Sequence, residues 1–574
     1  MGFRQRLFLI LISIALSFAC LFVTIRYMPQ VFSTVTVSIT TNKADIEKAS
    51  QQKCEGFGLE PFERSVTYFA SNEFLQCFVE LEGGGKAAFD KMIQDNDFQP
   101  YMWHTRFFTP LKIEEAHFYF TPQGEFYGLR RALPETYAGT NCTENEALQK
   151  VQAFVNTENI DLAGYALVEQ TFTTMPSKRI DRSFVYERKD RSLGDGKYRI
   201  RFVVAGNEVA VYERFIKIPE AFERRYAHMR SYNGLLATFA NFLMFLLYIL
   251  CAIGGSMLLF SRLSWLKWRQ ALSFGFVIAA LCFLVELNGI NLWWLGYQTL
   301  HSPQYFLLQN GLIKIWSFIF NFCFFSTVIA CAEGLSRMAF CHHPYLFSSW
   351  APGIANSDSI FFRTILGYVF ACFATALVIA TYFFTTQYYG WWTPSEVLFN
   401  PNILAVYIPA LNPIAISLQA GVVEECLFRA VPLACAALLG RYLKQEKLFL
   451  CIALFVQAAV FGGAHALYPT QPFYGRLLEL MVPSLIWGLL YIRYGLIPGI
   501  IAHVMYDLFW FSMPLFTSKA EGIWIQQLLV LCAGFIPLIV ILYRFLKQGV
   551  WQISIETALN KELQVADTIH AKND

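Results

Sequence analysis

The chain has 574 residues, of which 55% are hydrophobic, 17% aromatic and only 15% charged, with a net charge of +3. Globular proteins carry about 25% charged residues, so this balance excludes an ordinary soluble domain and points to a polytopic membrane protein. So small a net charge gives no basis for nucleic-acid binding, and the 14 cysteines include no C-x-x-C, which excludes a zinc ribbon or a thioredoxin motif.

Arg4 and Arg6 precede an apolar run from Leu7 to Thr24, and Arg26 and Met28-Pro29 follow it without a small-x-small site. Residues 1–28 read as a retained anchor with its basic end in the cytoplasm, the alternative being a cleaved signal peptide. Residues 29–232 differ in kind: they are polar and contain no apolar run long enough to span a bilayer. Alternation in His117–Pro122 and Tyr198–Val204 predicts strands, and helices are expected over Lys43–Glu55 and Glu144–Asn156. Pro122–Glu135 echoes Ala205–Glu220, each as a hairpin with a Gly-containing turn. Two related α+β modules or a chance similarity both account for this echo. Placed after an N-in anchor, the domain is expected outside the cytoplasm, where Cys54 and Cys77 either bridge or remain thiols.

Nine more apolar segments follow, which gives about ten spans in all. They run roughly over Leu235–Phe260, Ala271–Leu287, Gly311–Cys331, Thr364–Phe384, Ile403–Leu439, Leu448–Ala466, Leu477–Ile492, Leu496–Leu515 and Trp524–Leu542. The fifth is long, with Pro409 or Pro413 as a place to break. Arg269, Arg337, Arg441, Arg493 and Arg544 all fall on one side, whereas 291–310 and 385–402 contain no Lys or Arg. The positive-inside rule then puts both termini in the cytoplasm. The expected fold is a polytopic α-helical membrane protein with an extramembrane α+β domain inserted after the first span. Its parts are an anchor (1–28), the α+β domain (29–232), a helical membrane region (233–400), an intramembrane core (401–548) and a polar cytoplasmic tail (549–574). The expected setting is the lipid bilayer of a bacterial inner (plasma) membrane.

Charge within the apolar segments is where function is to be sought. Gly421–Arg429 reads Gly-Val-Val-Glu-Glu-Cys-Leu-Phe-Arg, inside an apolar run. Charged residues at membrane depth cost a few kcal/mol or more each, so they face a polar interior, pair or carry chemistry. Glu425 and Arg429 are four apart and pair on one helix face, an architectural role. Glu424 points about 100° away from Glu425 and has no partner in its own segment. It lies 17 residues before Arg441, about 25 Å along a helix, and so within the bilayer. Of the nine histidines, only His465 and His503 fall well inside predicted spans. His503 and Asp507 are four apart and share a face. Gly421, Gly462 and Gly463 read as close helix contacts, and Phe461 as a pocket wall. Glu286, Lys314, Glu333 and Glu479 lie near span ends, where snorkelling accounts for them.

The ordered set EExxxR, FxxxH and HxxxD, each on its own apolar segment between about Pro413 and Pro514, resembles the CAAX-protease and bacteriocin-processing family of intramembrane proteases. Asp507 stands where the prenyl-protein proteases of that family usually carry Asn. The resemblance implies an intramembrane endopeptidase acting on a peptide or membrane-protein substrate. By it, Glu424 and His465 act on the nucleophilic water, and His503 with Asp507 forms the oxyanion site.

Read from the residues alone, Glu424 is a general base for water, and His465 holds the same water or ligates a metal. Glu424, His465 and His503 are also a donor set for a catalytic Zn2+ with an open position, although there is no H-E-x-x-H. Spacing does not separate zinc from a metal-free mechanism. Buried Glu, His and Asp also build proton relays, so a proton-coupled transporter and a non-catalytic membrane scaffold are the competing classes. No repeat across the nine spans supports the transporter. The α+β domain is expected to govern substrate access rather than chemistry.

Overall fold

The computed structural model describes residues 3–32, 37–59, 61–260, 266–394 and 400–549. The predicted tail therefore lies outside the described residues, apart from Gly549. An N-terminal helix, α1 (Phe3–Val31), leads into the polar region. There the order is α2 (Lys43–Gly56), β1 (Arg64–Ser71), α3 (Glu73–Leu81), α4 (Gly85–Gln94), β2 (Tyr101–Phe108), β3 (Glu115–Phe120) and β4 (Phe126–Ala132). It continues with α5 (Glu144–Thr157), β5 (Tyr165–Thr174), β6 (Ile180–Arg188), β7 (Lys197–Ala205) and β8 (Glu208–Lys217).

All eight strands form one antiparallel sheet in the order β1-β2-β3-β4-β8-β7-β6-β5. Each half contains a long helix followed by four strands, and the halves meet at β4 and β8. Both long helices start the same way, with a capping box made by Asn42 and Asp45 in α2 and by Thr143 and Glu146 in α5. Alternating burial along β7 places Tyr198, Ile200, Phe202 and Val204 in a core, where Phe202 stacks on Tyr212 of β8 with centroids 5.3 Å apart. The pair α3 and α4 has no counterpart in the second half. Cys54 and Cys77 are not bridged, and the Cys77 thiol lies 3.3 Å from the Tyr226 hydroxyl.

The helical region comprises α6 (Glu220–Phe260), α7 (Trp268–Asn288), α8 (Ile290–Trp293), α9 (Pro303–Ala339), α10 (Asp358–Tyr389), α11 (Leu411–Glu424) and α12 (Val431–Tyr442). It ends with α13 (Glu446–Ala464), α14 (Gly475–Tyr494), α15 (Leu496–Phe511), α16 (Met513–Thr517), α17 (Ile523–Gly534) and α18 (Ile536–Gln548). Among the described residues, seven helices are long and apolar enough to cross a membrane, or eight if the bent pair α17–α18 is one span. The expectation of about ten spans is thus only partly met. The segment Ile403–Leu439 is not one helix: it opens with a 3-10 turn at Pro401–Ala405, and a π-helical turn at Glu425–Ala430 separates α11 from α12. At 16 residues, α15 is short for a span.

The sheet domain rests on this helical region. Arg106 in β2 is held by Glu115 and donates to the carbonyls of Trp294 (3.2 Å) and Tyr297 (2.9 Å). The Phe69 N–H donates to Asn402 Oδ1 (3.0 Å), and the Trp392 indole donates to Glu80 (2.8 Å). The connections before α9 and after α10, expected to share a face because they lack Lys and Arg, both lie against the sheet domain.

Candidate active site

The site is built around the break between α11 and α12. Pro432 has no N–H to offer the carbonyl of Phe428, and its ring crowds that carbonyl. The backbone widens there into the π-helical turn Glu425–Ala430, a feature that recurs at functional sites. Glu424 closes α11 on one side of the widening, and Glu425 opens it.

The two adjacent glutamates have different surroundings. The Glu425 side chain is 1% exposed and the Glu424 side chain 26%, so Glu424 is the one that faces open space. Glu425 Oε1 lies 3.4 Å from Arg429 Nη1 and 2.8 Å from His503 Nδ1. Gly499 makes room for this carboxylate: a Cβ there would lie 2.8 Å from Glu425 Oε2. The fully buried Arg429 guanidinium stacks over Phe461 at 4.1 Å and donates through Nη2 to Ser484 Oγ at 3.1 Å. The expected ion pair is present, and it also anchors an imidazole.

With Nδ1 facing Glu425, His503 presents Nε2 to the cavity. That nitrogen lies 3.7 Å from Glu424 Oε2 and 3.6 Å from Asp507 Oδ2, too far for good direct hydrogen bonds and close enough for a bridging water. Close contact of α11 with α15 sets this geometry. A Cβ on Gly421 would sit 2.9 Å from the Val504 nitrogen, so only glycine allows the approach. His465 follows the last residue of α13. Its Nδ1 hydrogen-bonds the Phe461 carbonyl (2.8 Å), which leaves Nε2 for the cavity. Phe461 therefore serves twice, as a ring under Arg429 and as a carbonyl that orients His465.

Glu424, His465, His503 and Asp507 all line one cavity of about 200 Å³. Glu425 and Arg429 lie behind its wall. Sequence reasoning missed the other polar side of this cavity, which is formed by Arg476, Tyr506 and Trp510. Arg476 Nη1 is 2.5 Å from Glu479 Oε1 and 3.0 Å from the Tyr382 hydroxyl, which also bonds Glu479. Glu479 is thus buried in an ion pair rather than snorkelling. Glu333 is buried as well and accepts a hydrogen bond from the Leu346 N–H (3.1 Å). Glu286 and Lys314 do keep partial exposure while pairing at 2.7 Å. The signals that could have found the missed residues are spacings. Arg476 and Glu479 are three apart, and Tyr506 and Trp510 follow His503 at three and seven residues, on one helical face.

Among the described residues, three donors on this wall make no hydrogen bond: Arg476 Nε, the Tyr506 hydroxyl and the Trp510 indole N–H, which faces that hydroxyl without bonding geometry. Buried donors are nearly always satisfied, so three orphans around one cavity mark a place for an acceptor. Metal ligation finds less support. Among the described residues, no group of three or more His, Cys, Asp or Glu is gathered as a ligand set, and His503 Nδ1 is already committed to Glu425. Glu424, His465 and His503 do not form a zinc cluster as placed.

No curated protein and no solved structure matches the chain. Residues 406–509 match the family model described as type II CAAX prenyl endopeptidase Rce1-like, a segment that contains Glu424, Glu425, Arg429, His465, His503 and Asp507. This segment, the helical core that carries the site, thus matches the CAAX-protease and bacteriocin-processing family that the motifs resemble.

Proposed function

We propose that this protein is an intramembrane endopeptidase in which Glu424 removes a proton from the attacking water. The family assignment suggests peptide-bond hydrolysis in a membrane. The observation that carries the finer reading is the convergence of Glu424 and Asp507 on His503 Nε2 at 3.7 and 3.6 Å, while Nδ1 is fixed on Glu425. Glu424 is the most open of these groups, so it is the one that meets water. His465 Nε2 holds the same water from the α13 side. Asp507, as a carboxylate, offers acceptor oxygens, and its role in this reading is to orient His503.

Attack turns the carbonyl oxygen into an oxyanion, which needs donors already in place. Arg476 Nε, the Tyr506 hydroxyl and the Trp510 N–H are unsatisfied donors on the cavity wall. In this reading they receive substrate carbonyls, one of them the reacting one. The proton taken by Glu424 then goes to the leaving amine, with bond cleavage. No step runs through a metal. The membrane face that carries the sheet domain is read as extracytoplasmic, from the basic residues on the opposite side.

The test is cleavage of a fluorogenic peptide library by the purified full chain in detergent, with hydrolysis in H2(18)O to show that the new carboxyl oxygen comes from water. The expected result is turnover that survives a zinc chelator. Loss of turnover on chelation, restored by added Zn2+, would replace the metal-free reading. No cleavage by folded wild-type protein would remove the peptidase reading.

A further inference from the structure

The sheet ends in two edge strands, β1 and β5, and the β1 edge, covered in part by the Pro401–Ala405 turn, leads toward the catalytic cavity. β1 is terminal in the sheet and pairs only with β2. The Phe69 N–H bonds Asn402 rather than β2. In an antiparallel ladder the outward-facing residues alternate, so residues 65, 67, 69 and 71 all turn their N–H and C=O groups away from β2. Tyr68–Ser71 form one wall of a cavity of about 620 Å³, and Asn402, Asn412 and Pro413 line it from the membrane core. Three of its lining residues, Ile416, Tyr468 and Phe511, also line the catalytic cavity. The two spaces adjoin through these shared residues.

The chemistry of the outer cavity fits a polypeptide. Its walls present amides, the Ser71 hydroxyl, the Glu73 carboxylate and a strand edge with outward backbone groups. Hydrocarbon has a better seat elsewhere. A cavity of about 330 Å³ lined by Trp350, Leu418, Ile497 and Val540 is almost wholly apolar, and it shares no lining residue with the catalytic one.

We infer that the substrate enters from the sheet-domain side as an extended polypeptide, pairs with the outer edge of β1 at Ser71, and passes Tyr468 to reach Glu424. Phe69 is already bonded to Asn402, so the pairing falls at the Ser71 end of the strand. Strand addition of this kind draws affinity from main-chain hydrogen bonds and tolerates varied side chains. The sheet domain then acts as a substrate platform rather than a tethered module. This inference rests on the peptidase reading of the site.

Two fluorogenic peptides with the same cleaved core test it, one of about twelve residues and one of about four, about 40 Å and about 13 Å long when extended. Ser71→Pro removes an outward N–H without touching the β1–β2 ladder. The ratio of kcat/KM for the long peptide over the short one should fall about fivefold, through KM, as expected for one lost hydrogen bond. Ser65→Pro, on the same edge but outside the cavity, should keep the wild-type ratio. An unchanged ratio in Ser71→Pro, or an equal fall in Ser65→Pro, overturns the inference while leaving the peptidase reading intact. A second arm needs no cleavage. In sealed membrane vesicles, a membrane-impermeant thiol reagent should label Ile416→Cys from the sheet-domain side, as read by mass spectrometry of the α11 peptide. Labelling only from the opposite side overturns the route.

Discussion

Glu425 and Arg429, on the wide turn between α11 and α12, form a buried pair behind the wall of the cavity, whereas Arg476 and Glu479, in the first turn of α14, form a buried pair whose cation lines it. In the first pair, Arg429 Nε and Nη1 make no hydrogen bond among the described residues, but neither Arg429 nor Glu425 lines the cavity. Glu425 also holds His503, and Arg429 is covered by aromatic rings and bonded to Ser484. In the second, Glu479 and Tyr382 satisfy one end of the guanidinium and leave Nε without a bond. A buried pair set behind the wall is architecture, while a buried pair whose unsatisfied donor lies on the cavity wall has a place for a ligand. The difference is not visible from charge or burial alone, because both pairs are almost fully buried.

The largest effect should come from breaking the pair behind the wall. Arg429→Ala strands Glu425 and should cost about 3–5 kcal/mol, seen as a lower melting temperature and folded yield in detergent. The double variant Glu425→Gln/Arg429→Met should recover part of that loss. A single variant that melts like wild type would show that the pair carries no architectural weight. The spare-donor pair is probed by Arg476→Lys, which keeps the charge beside Glu479 but removes the planar fork and Nε. It should fold, and kcat/KM should fall about tenfold, equivalent to about 1.4 kcal/mol of lost transition-state stabilisation. Unchanged kcat/KM would make the second pair architectural too.

Tyr506→Phe sharpens the same distinction with a smaller effect. Its hydroxyl is buried without a bond, so deleting it should leave the melting temperature unchanged or raised, and should lower kcat/KM about fivefold. A fall in stability with unchanged kinetics would assign the hydroxyl to the fold.

These pairs also show what the sequence could reveal. Glu424, Glu425, Arg429, His465 and His503 stand out because each interrupts an apolar run. Arg476 does not stand out in this way, because the apolar run Leu477–Ile492 starts just after it. Tyr506 and Trp510 carry no charge and look like ordinary apolar-helix aromatics until the cavity places them beside His503. The expected count of about ten spans is met only in part for a related reason. Composition reports that Ile403–Leu439 is apolar, but the backbone break comes from Pro432 and the crowded approach of α15 at Gly421 and Gly499. In the sheet domain, α2 and α5 were legible from their polar first turns. By contrast, strand order depends on long-range pairing that local alternation does not encode.

The sheet domain offers a test that is independent of both pairs. His104 in β2 lies 2.9 Å from His117, ring nitrogen to ring nitrogen. Burial, reinforced by His117, Arg106 and Arg130, pushes its pKa down to about 3 from an ordinary 6.5. The folded imidazole stays neutral while the unfolded one takes a proton, so its contribution is full above pH 6.5 and is lost as the pH falls from there towards about 3. Scanning calorimetry at pH 7 and pH 5 should show the domain melting lower in acid, and His104→Phe should flatten that slope. An identical slope in the variant would place the acid sensitivity elsewhere.

The most direct measurement concerns the two neighbouring glutamates, of which only Glu424 faces the cavity. Glu424→Gln preserves shape and removes the base. The account predicts a protein that melts like wild type in detergent and cleaves no peptide from a library that the wild type cleaves. Cleavage by folded Glu424→Gln at the wild-type rate would contradict it.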